Sequence, residues 1–239
     1  MQPVDIMMVS FQRLAFTQKS IAALAEKTRT PFRLIVIDNG STDGSQEWLR
    51  EAYLEGLVHE LVCGDENLGV HWAKNAGLAL IESEPYYIDT DNDIICPNLK
   101  PDWISRLLKL MADHPEFESI SLRPQVFVGG IPNWSEEHEI VEVPWAGAVL
   151  RAMRTKVVRE AGGWADVIRQ GRNGEERWIA EKLKHLGYKV GFARDLYAFH
   201  QFGINWGYPE GTPHGHGEMW PPSEHWDNVR VDPDTLKPL

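Results

Sequence analysis

The sequence predicts an α/β fold, a mostly parallel sheet with helices on both faces, followed by an aromatic-rich C-terminal arm. Three observations point there. Short apolar runs alternate with segments of helical periodicity, strand then helix, three times before Tyr86. A fourth run, Tyr86-Tyr87-Ile88, leads straight into Asp89, Asp91 and Asp93. Carboxylates at the exit of such a strand lie where open α/β sheets place their ligands.

Residues 4–9 form the first strand, continuously apolar except for Asp5, and Ser10-Phe11-Gln12-Arg13 is a polar turn. Thr17, Ile21, Leu24, Ala25 and Thr28 then mark one face of a helix. Residues 32–37 are the second strand. Asp38-Asn39-Gly40-Ser41-Thr42-Asp43-Gly44-Ser45 is too dense in turn formers to be anything but a loop, and its Ser, Thr or Asp can cap the helix striped by Trp48, Leu49, Ala52 and Tyr53. The third strand is expected at 58–62 and its helix at 70–81, with Lys74 and Asn75 near the front. After the acidic triplet, Trp103, Leu107, Leu110 and Met111 mark the next helix.

The second half is less regular. Strands are expected at 119–122, 139–143 and 148–151, a loop at 127–137, and a short helix at 155–161 stopped by Gly162-Gly163. Residues 166–174 are polar. Glu175 and Glu176 open a helix ended by Gly187, where the macrodipole favours ionised carboxylates, and helix-end complementarity is also their plainest role. Two short strands, 190–193 and 196–199, lead to His200.

A chain of 239 residues can bury one substantial core plus a modest appendage, so residues 1–203 are expected as a single domain and 204–239 as an arm or lid. Ten tryptophans stand in the chain, and Trp206, Trp220 and Trp226 crowd that arm, where they could offer faces to sugar rings. A formal net charge of -11 argues against nucleic acid or an anionic membrane as the main partner. No apolar run reaches the roughly 20 residues of a membrane span. Two cysteines without metal spacing suggest a reducing compartment, and the N-terminus lacks the look of a secretion signal, so the expected location is cytoplasmic.

Three like charges as close as Asp89, Asp91 and Asp93 repel unless a cation or polar ligand sits among them. Hard oxygen ligands suit Mg2+ or Mn2+ with phosphate oxygens completing the shell, so Asp91-Asn92-Asp93 reads as a metal–diphosphate site; a solvated acidic turn is the alternative. Asp38 likewise reads either as a ligand group at a strand end or as a turn residue bonding its own backbone.

Taken in order, these pieces resemble the family 2 glycosyltransferases of the Rossmann-like GT-A fold, over about the first 200 residues. The resemblance rests on Ser10-Phe11-Gln12-Arg13, on the string from Asp38 to Ser45, on Asn67-Leu68-Gly69 with Ala73-Lys74-Asn75-Ala76-Gly77, and on Asp91-Asn92-Asp93 as an Asp-x-Asp motif. Looser matches are Trp145-Ala146-Gly147, Arg151 to Arg154, Gly162-Gly163-Trp164 and Gly174-Glu175-Glu176, the last lengthening the family's usual second acid by a methylene.

The resemblance implies transfer of a sugar from a nucleotide-diphosphate sugar donor to a saccharide or other hydroxyl acceptor, with inversion and with Mn2+ or Mg2+. Asp91, Asp93 and His200 would serve the metal. Ser10, Phe11, Arg13, Asp38, Asn39, Ser41, Asn67, Lys74, Asn75, Asp91 and Trp145 would serve the donor. Glu176 would be the catalytic base, with Glu175 second. Trp145 and Trp164 are candidates to stack on sugar, or are core. Two other classes stay open: a nucleotidyltransferase, although the first turn lacks its glycines, and a non-catalytic sugar- or nucleotide-binding relative.

Overall fold

The computed structural model describes residues 2–124, 138–164, 174–201, 232 and 234–236. The loop expected at 127–137, most of the polar stretch at 166–174 and nearly all of the arm lie outside the described residues. Among the described residues nine strands form one sheet, in the order β3 (Glu60–Cys63), β2 (Phe32–Asp38), β1 (Val4–Ser10), β4 (Tyr86–Asp91), β8 (Arg151–Arg154), β6 (Phe117–Pro124), β9 (Lys189–His200) and β5 (Ile94–Ile95), with β7 (Ile140–Glu142) also paired to β9.

β1 (Val4–Ser10) sits between β2 (Phe32–Asp38) and β4 (Tyr86–Asp91), parallel to both, and β3 (Glu60–Cys63) extends the parallel half beyond β2. Successive side chains of β1 point to opposite faces, and both faces are covered. Ile6 and Met8 join Leu34, Val36 and Ile88 under α1 (Leu14–Lys27), α2 (Ser45–Leu54) and α4 (Trp103–Asp113). Met7 and Val9 join Ile35, Ile37 and Tyr87 under α3 (Val70–Leu80), α5 (Thr155–Glu160) and α6 (Glu175–His185). Gly77 lets α3 lie against the sheet, since a Cβ there would collide with Met7 Sδ. Asp5, the polar exception in β1, holds the connection into β4: it accepts from the Glu82 and Ser83 N–H groups at 2.5 and 2.8 Å and from Arg33 Nε at 2.8 Å.

The second half holds β5 (Ile94–Ile95), β6 (Phe117–Pro124), β7 (Ile140–Glu142), β8 (Arg151–Arg154) and β9 (Lys189–His200). Four of the expected strands are displaced or merged. The third strand starts at Glu60 rather than 58, because Val58 is tied back to α2 by its N–H to the Ala52 carbonyl at 3.2 Å. The strand expected at 148–151 begins only at Arg151, because Leu150 is left-handed at φ 49° and the Val149 N–H closes on Gly147 O at 2.9 Å. The two strands expected at 190–193 and 196–199 are one, β9, whose register against β6 slips between Phe192 and Tyr197. β8 runs antiparallel to β4, while β6 and β9 are parallel to each other.

Candidate active site

The carboxyl ends of β1, β2 and β4 line up: Ser10 pairs with Asp38, and Val9 with Asp91. Three loops therefore meet at one edge. Asp38 is fully buried. Its Oδ1 accepts from the Ser41 N–H at 2.8 Å and from Gln46 Nε2 at 3.0 Å, and its Oδ2 from Ser41 Oγ at 2.6 Å. As placed, Asp38 closes its own loop, and a bond to a base or ribose would have to displace Ser41 or Gln46. Asn39 Nδ2 donates to Asn67 Oδ1 at 2.8 Å and Asn39 Oδ1 accepts the Leu68 N–H at 3.0 Å, so these two amides tie the β2 loop to the loop before α3. Gly40 permits that closeness, since at φ 81° it packs directly on the Glu66 backbone.

Within Asp91-Asn92-Asp93 the two carboxylates are close enough for the Asp93 charge to raise Asp91. Asn92 turns inward, donating to Thr17 Oγ1 at 2.8 Å and to the Gln12 carbonyl at 3.0 Å, which stitches the triplet to the turn after β1 where Phe11 is half-buried. Asp93 Oδ2 accepts from Arg13 Nη1 at 2.9 Å. Its Oδ1 accepts no hydrogen bond and stands 3.7 Å from His200 Nε2.

Ala148 joins the other acids. Its carbonyl accepts the Asp91 N–H at 3.2 Å, and its own N–H donates to Glu176 Oε1 at 3.0 Å. The metal motif and the candidate base are thus set on either side of one residue. Burial pushes the Glu176 carboxyl up, the Glu175 charge adds to this, and Lys74, Arg151 and the Ala148 N–H oppose it without cancelling it. The helix-end lowering expected from the sequence is outweighed. Burial likewise holds Asp91 well above its ordinary range; Lys74 pulls it down, while Glu176, Asp93 and Asp89 raise it further.

Lys74 and Asn75 lie behind this edge. Lys74 is fully buried, with Nζ 2.8 Å from Asp89 Oδ2 and 4.4 Å over the Trp164 ring. Asn75 uses both side-chain atoms on the Trp164 backbone, donating to its carbonyl at 2.7 Å and accepting its N–H at 2.9 Å. Trp164 is core, and Trp145 stands 51% exposed on the loop that carries Ala148.

Arg151, named from the sequence only within the Arg151 to Arg154 match, carries a site role that the match did not give it. It is buried, donates to Asp89 Oδ2 at 2.5 Å and to the Ala146 carbonyl at 2.7 Å, and stacks 5.2 Å from Trp164. Lys74 and Arg151 together keep Asp89 lowered against the effect of burial. The available signal was charge inside apolar strands, at Asp89 and Arg151.

A divalent cation suits this donor set only in part. Among the described residues, no three His, Cys, Asp or Glu side chains converge as a ready-made cage, so Asp91, Asp93 and His200 do not by themselves enclose an ion. The unbonded Asp93 Oδ1 and the raised Asp91 nevertheless mark a surplus of negative charge that a cation would relieve. Mg2+ and Mn2+ commonly use one or two carboxylates and take their other ligands from substrate phosphates.

A mostly parallel sheet with polar loops gathered at its carboxyl edge defines the class of open α/β folds that place their ligands at that edge. Within that class the chain belongs to glycosyl transferase family 2, whose family model matches residues 5–165. Solved structures agree on the fold, which is GT-A. A mannosyltransferase, PcManGT from Pyrobaculum calidifontis in complex with GDP-Man and Mn2+, is 17% identical at a TM-score of 0.62, covering 87% of this chain and 58% of that one. S. aureus TarS is 13% identical at 0.65, covering 85% and 37%. GalNAc-T7 with UDP, GalNAc and Mn2+ is 15% identical at 0.67, covering 83% and 43%. The chain thus spans less than two thirds of these proteins. No curated protein matches it by sequence. Among the described residues, no helix is long and apolar enough to cross a membrane.

Proposed function

We propose that the chain transfers a glycosyl group from a nucleotide-diphosphate sugar to an acceptor hydroxyl, with inversion and with a divalent metal. The observation that carries this reading is the seating of Asp91 and Glu176 on the two sides of Ala148. Asp93, with Asp91 and His200 nearby, would hold Mn2+ or Mg2+, which when bound neutralises the charge of the departing diphosphate. The loops after β1, β2 and β3, tied together through Gln12–Thr42 and Asn39–Asn67, would cradle the nucleotide. Glu176 would take the proton of the attacking hydroxyl, and its raised affinity for a proton strengthens it as a base. One base opposite the leaving group gives single displacement and inversion, the geometry that governs inverting hydrolases. Trp145, half-exposed on the loop that carries Ala148, would offer a face for a sugar ring.

Thermal shift against GDP- and UDP-sugars, with and without Mn2+, tests the reading. A donor should stabilise the protein more with Mn2+ than without, and Asp93→Ala should abolish the difference. If Asp93→Ala leaves the metal-dependent gain intact, the metal assignment is wrong.

A further inference from the structure

The turn after β1 is strained at two consecutive residues. Gln12 has φ 55° and Arg13 φ 65°, in the left-handed region that side chains other than glycine rarely adopt. Such strain persists only where the surroundings over-determine it, and it clusters at functional sites. Here the clamps are visible. The Gln12 N–H donates to Ser41 Oγ at 2.7 Å, its side-chain amide bonds Thr42 at 3.1 and 3.3 Å, and its carbonyl accepts from Asn92 at 3.0 Å. The first clamps come from the loop after β2, the last from the middle of the acidic triplet. Their joint effect is to aim Arg13 at Asp93. The ion pair measures 2.9 Å, with side chains 14% and 4% exposed.

The guanidinium therefore stands on the carboxylate that a metal would need. A second cation on the same carboxylate would lie against the first in a partly dehydrated site, where like charges repel strongly. A guanidinium matches a phosphate as well as it matches a carboxylate, so Arg13 has a partner in either state. We propose that Arg13 is a latch on Asp93: it neutralises the carboxylate while no substrate is bound, and it moves to the diphosphate when a sugar nucleotide enters, opening Asp93 to the metal. The inference rests on the reading of the chain as a metal-assisted sugar-nucleotide transferase. It makes nucleotide and metal binding mutually reinforcing beyond their direct contact, and by linkage the reinforcement is reciprocal.

The test is titration of Mn2+, followed by the electron paramagnetic resonance of the free ion, first alone and then with GDP or UDP. The wild type is compared with Arg13→Met, Arg13→Gln and Asp93→Asn, each checked by circular dichroism. Both Arg13 variants should bind Mn2+ alone more tightly, by on the order of tenfold, the worth of one charge-assisted hydrogen bond. The gain in Mn2+ affinity on adding nucleotide should shrink by a similar factor. Arg13→Gln keeps a polar side chain and serves where Arg13→Met fails to fold. If neither variant tightens Mn2+ binding while Asp93→Asn still loses the nucleotide-assisted uptake, the latch is refuted and the metal reading stands. If the wild type takes up no Mn2+ with either nucleotide, the metal reading falls and the latch with it.

Discussion

Glu176 illustrates how a neighbourhood selects one of two adjacent acids. Its Oε1 is fixed by the Ala148 N–H, whereas Glu175 contributes a nearby charge that helps raise it. Glu176→Gln preserves that hydrogen bond and removes the proton acceptor. Transfer should fall by roughly 10²–10⁴-fold with donor affinity near wild type, and Glu175→Gln should be the milder change. Kinetics on both variants decide it: collapse of Glu175→Gln beside a near-normal Glu176→Gln would move the base by one residue. Glu118 makes a different point. It is fully buried in β6, and burial pushes it up to about 7 although the Arg151 charge and the neighbouring Ser119 and Arg154 groups pull it down. A group raised on folding stabilises most below its ordinary range, and that contribution is lost as pH rises through about 7. Glu118→Gln should match the wild type near pH 4 and exceed it at pH 8 by up to about 3 kcal/mol. Urea unfolding at both pH values tests this, and a constant difference between them would show that Glu118 does not titrate in that window.

At the scale of elements, α4 and the turn before residue 165 show how ends are held. Asp102 caps α4, accepting the Ser105 N–H at 3.0 Å, and it also accepts the Arg29 and Thr30 N–H groups at 2.7 and 2.6 Å. Burial alone would raise its carboxyl, but these bonds hold it at about 2. Its contribution is therefore present above the ordinary carboxylate range and lost as pH falls through about 2. Asp102→Ala should cost about 2 kcal/mol at pH 7, a cap plus its added hydrogen bonds. A loss that stays the same down to pH 2 would mean packing, not the ionised cap, is responsible. Gly163 has φ 68°, and a Cβ there would collide with Asn75 Oδ1. Gly163→Ala must therefore break the Asn75–Trp164 clasp, loosening α3 from the turn that supports Lys74 and Arg151.

For the whole molecule, the parallel half and the mixed half of the sheet are joined behind the site by Asp89 of β4, Lys74 of α3 and Arg151 of β8. Buried ions are costly unless paired, and removing one partner strands the others. Asp89→Asn leaves two buried cations facing each other and should cost on the order of 3–5 kcal/mol. Lys74→Met should cost less, because Arg151 still answers Asp89. Urea denaturation of both ranks them, and a larger loss for Lys74→Met would mean the ammonium's packing on Trp164 outweighs the ion pair. The double variant should be clearly non-additive, since all three groups form one network.

The sequence alone determined the class of fold and the sheet edge at which the candidate site residues lie. β1 and β2 are read without ambiguity because strands buried on both faces are apolar but for one early charge each, Asp5 and Arg33, and their polar exits at Ser10 and Asp38 are local turn chemistry. What only the tertiary structure decided is which way the polar residues face. Asn92 lies inside the acidic motif yet points into the turn after β1, and Lys74 and Asn75 sit at the front of α3 yet serve Asp89 and Trp164. The start of β8 moved because Leu150 is left-handed, which no periodicity reveals. The aim of Arg13 at Asp93 and the raised proton affinity of Glu176 likewise depend on residues 80 and 28 positions away. Patterning along a chain reports how a residue sits on its own element; the partner that meets its charge is chosen by crossovers that bring distant elements together.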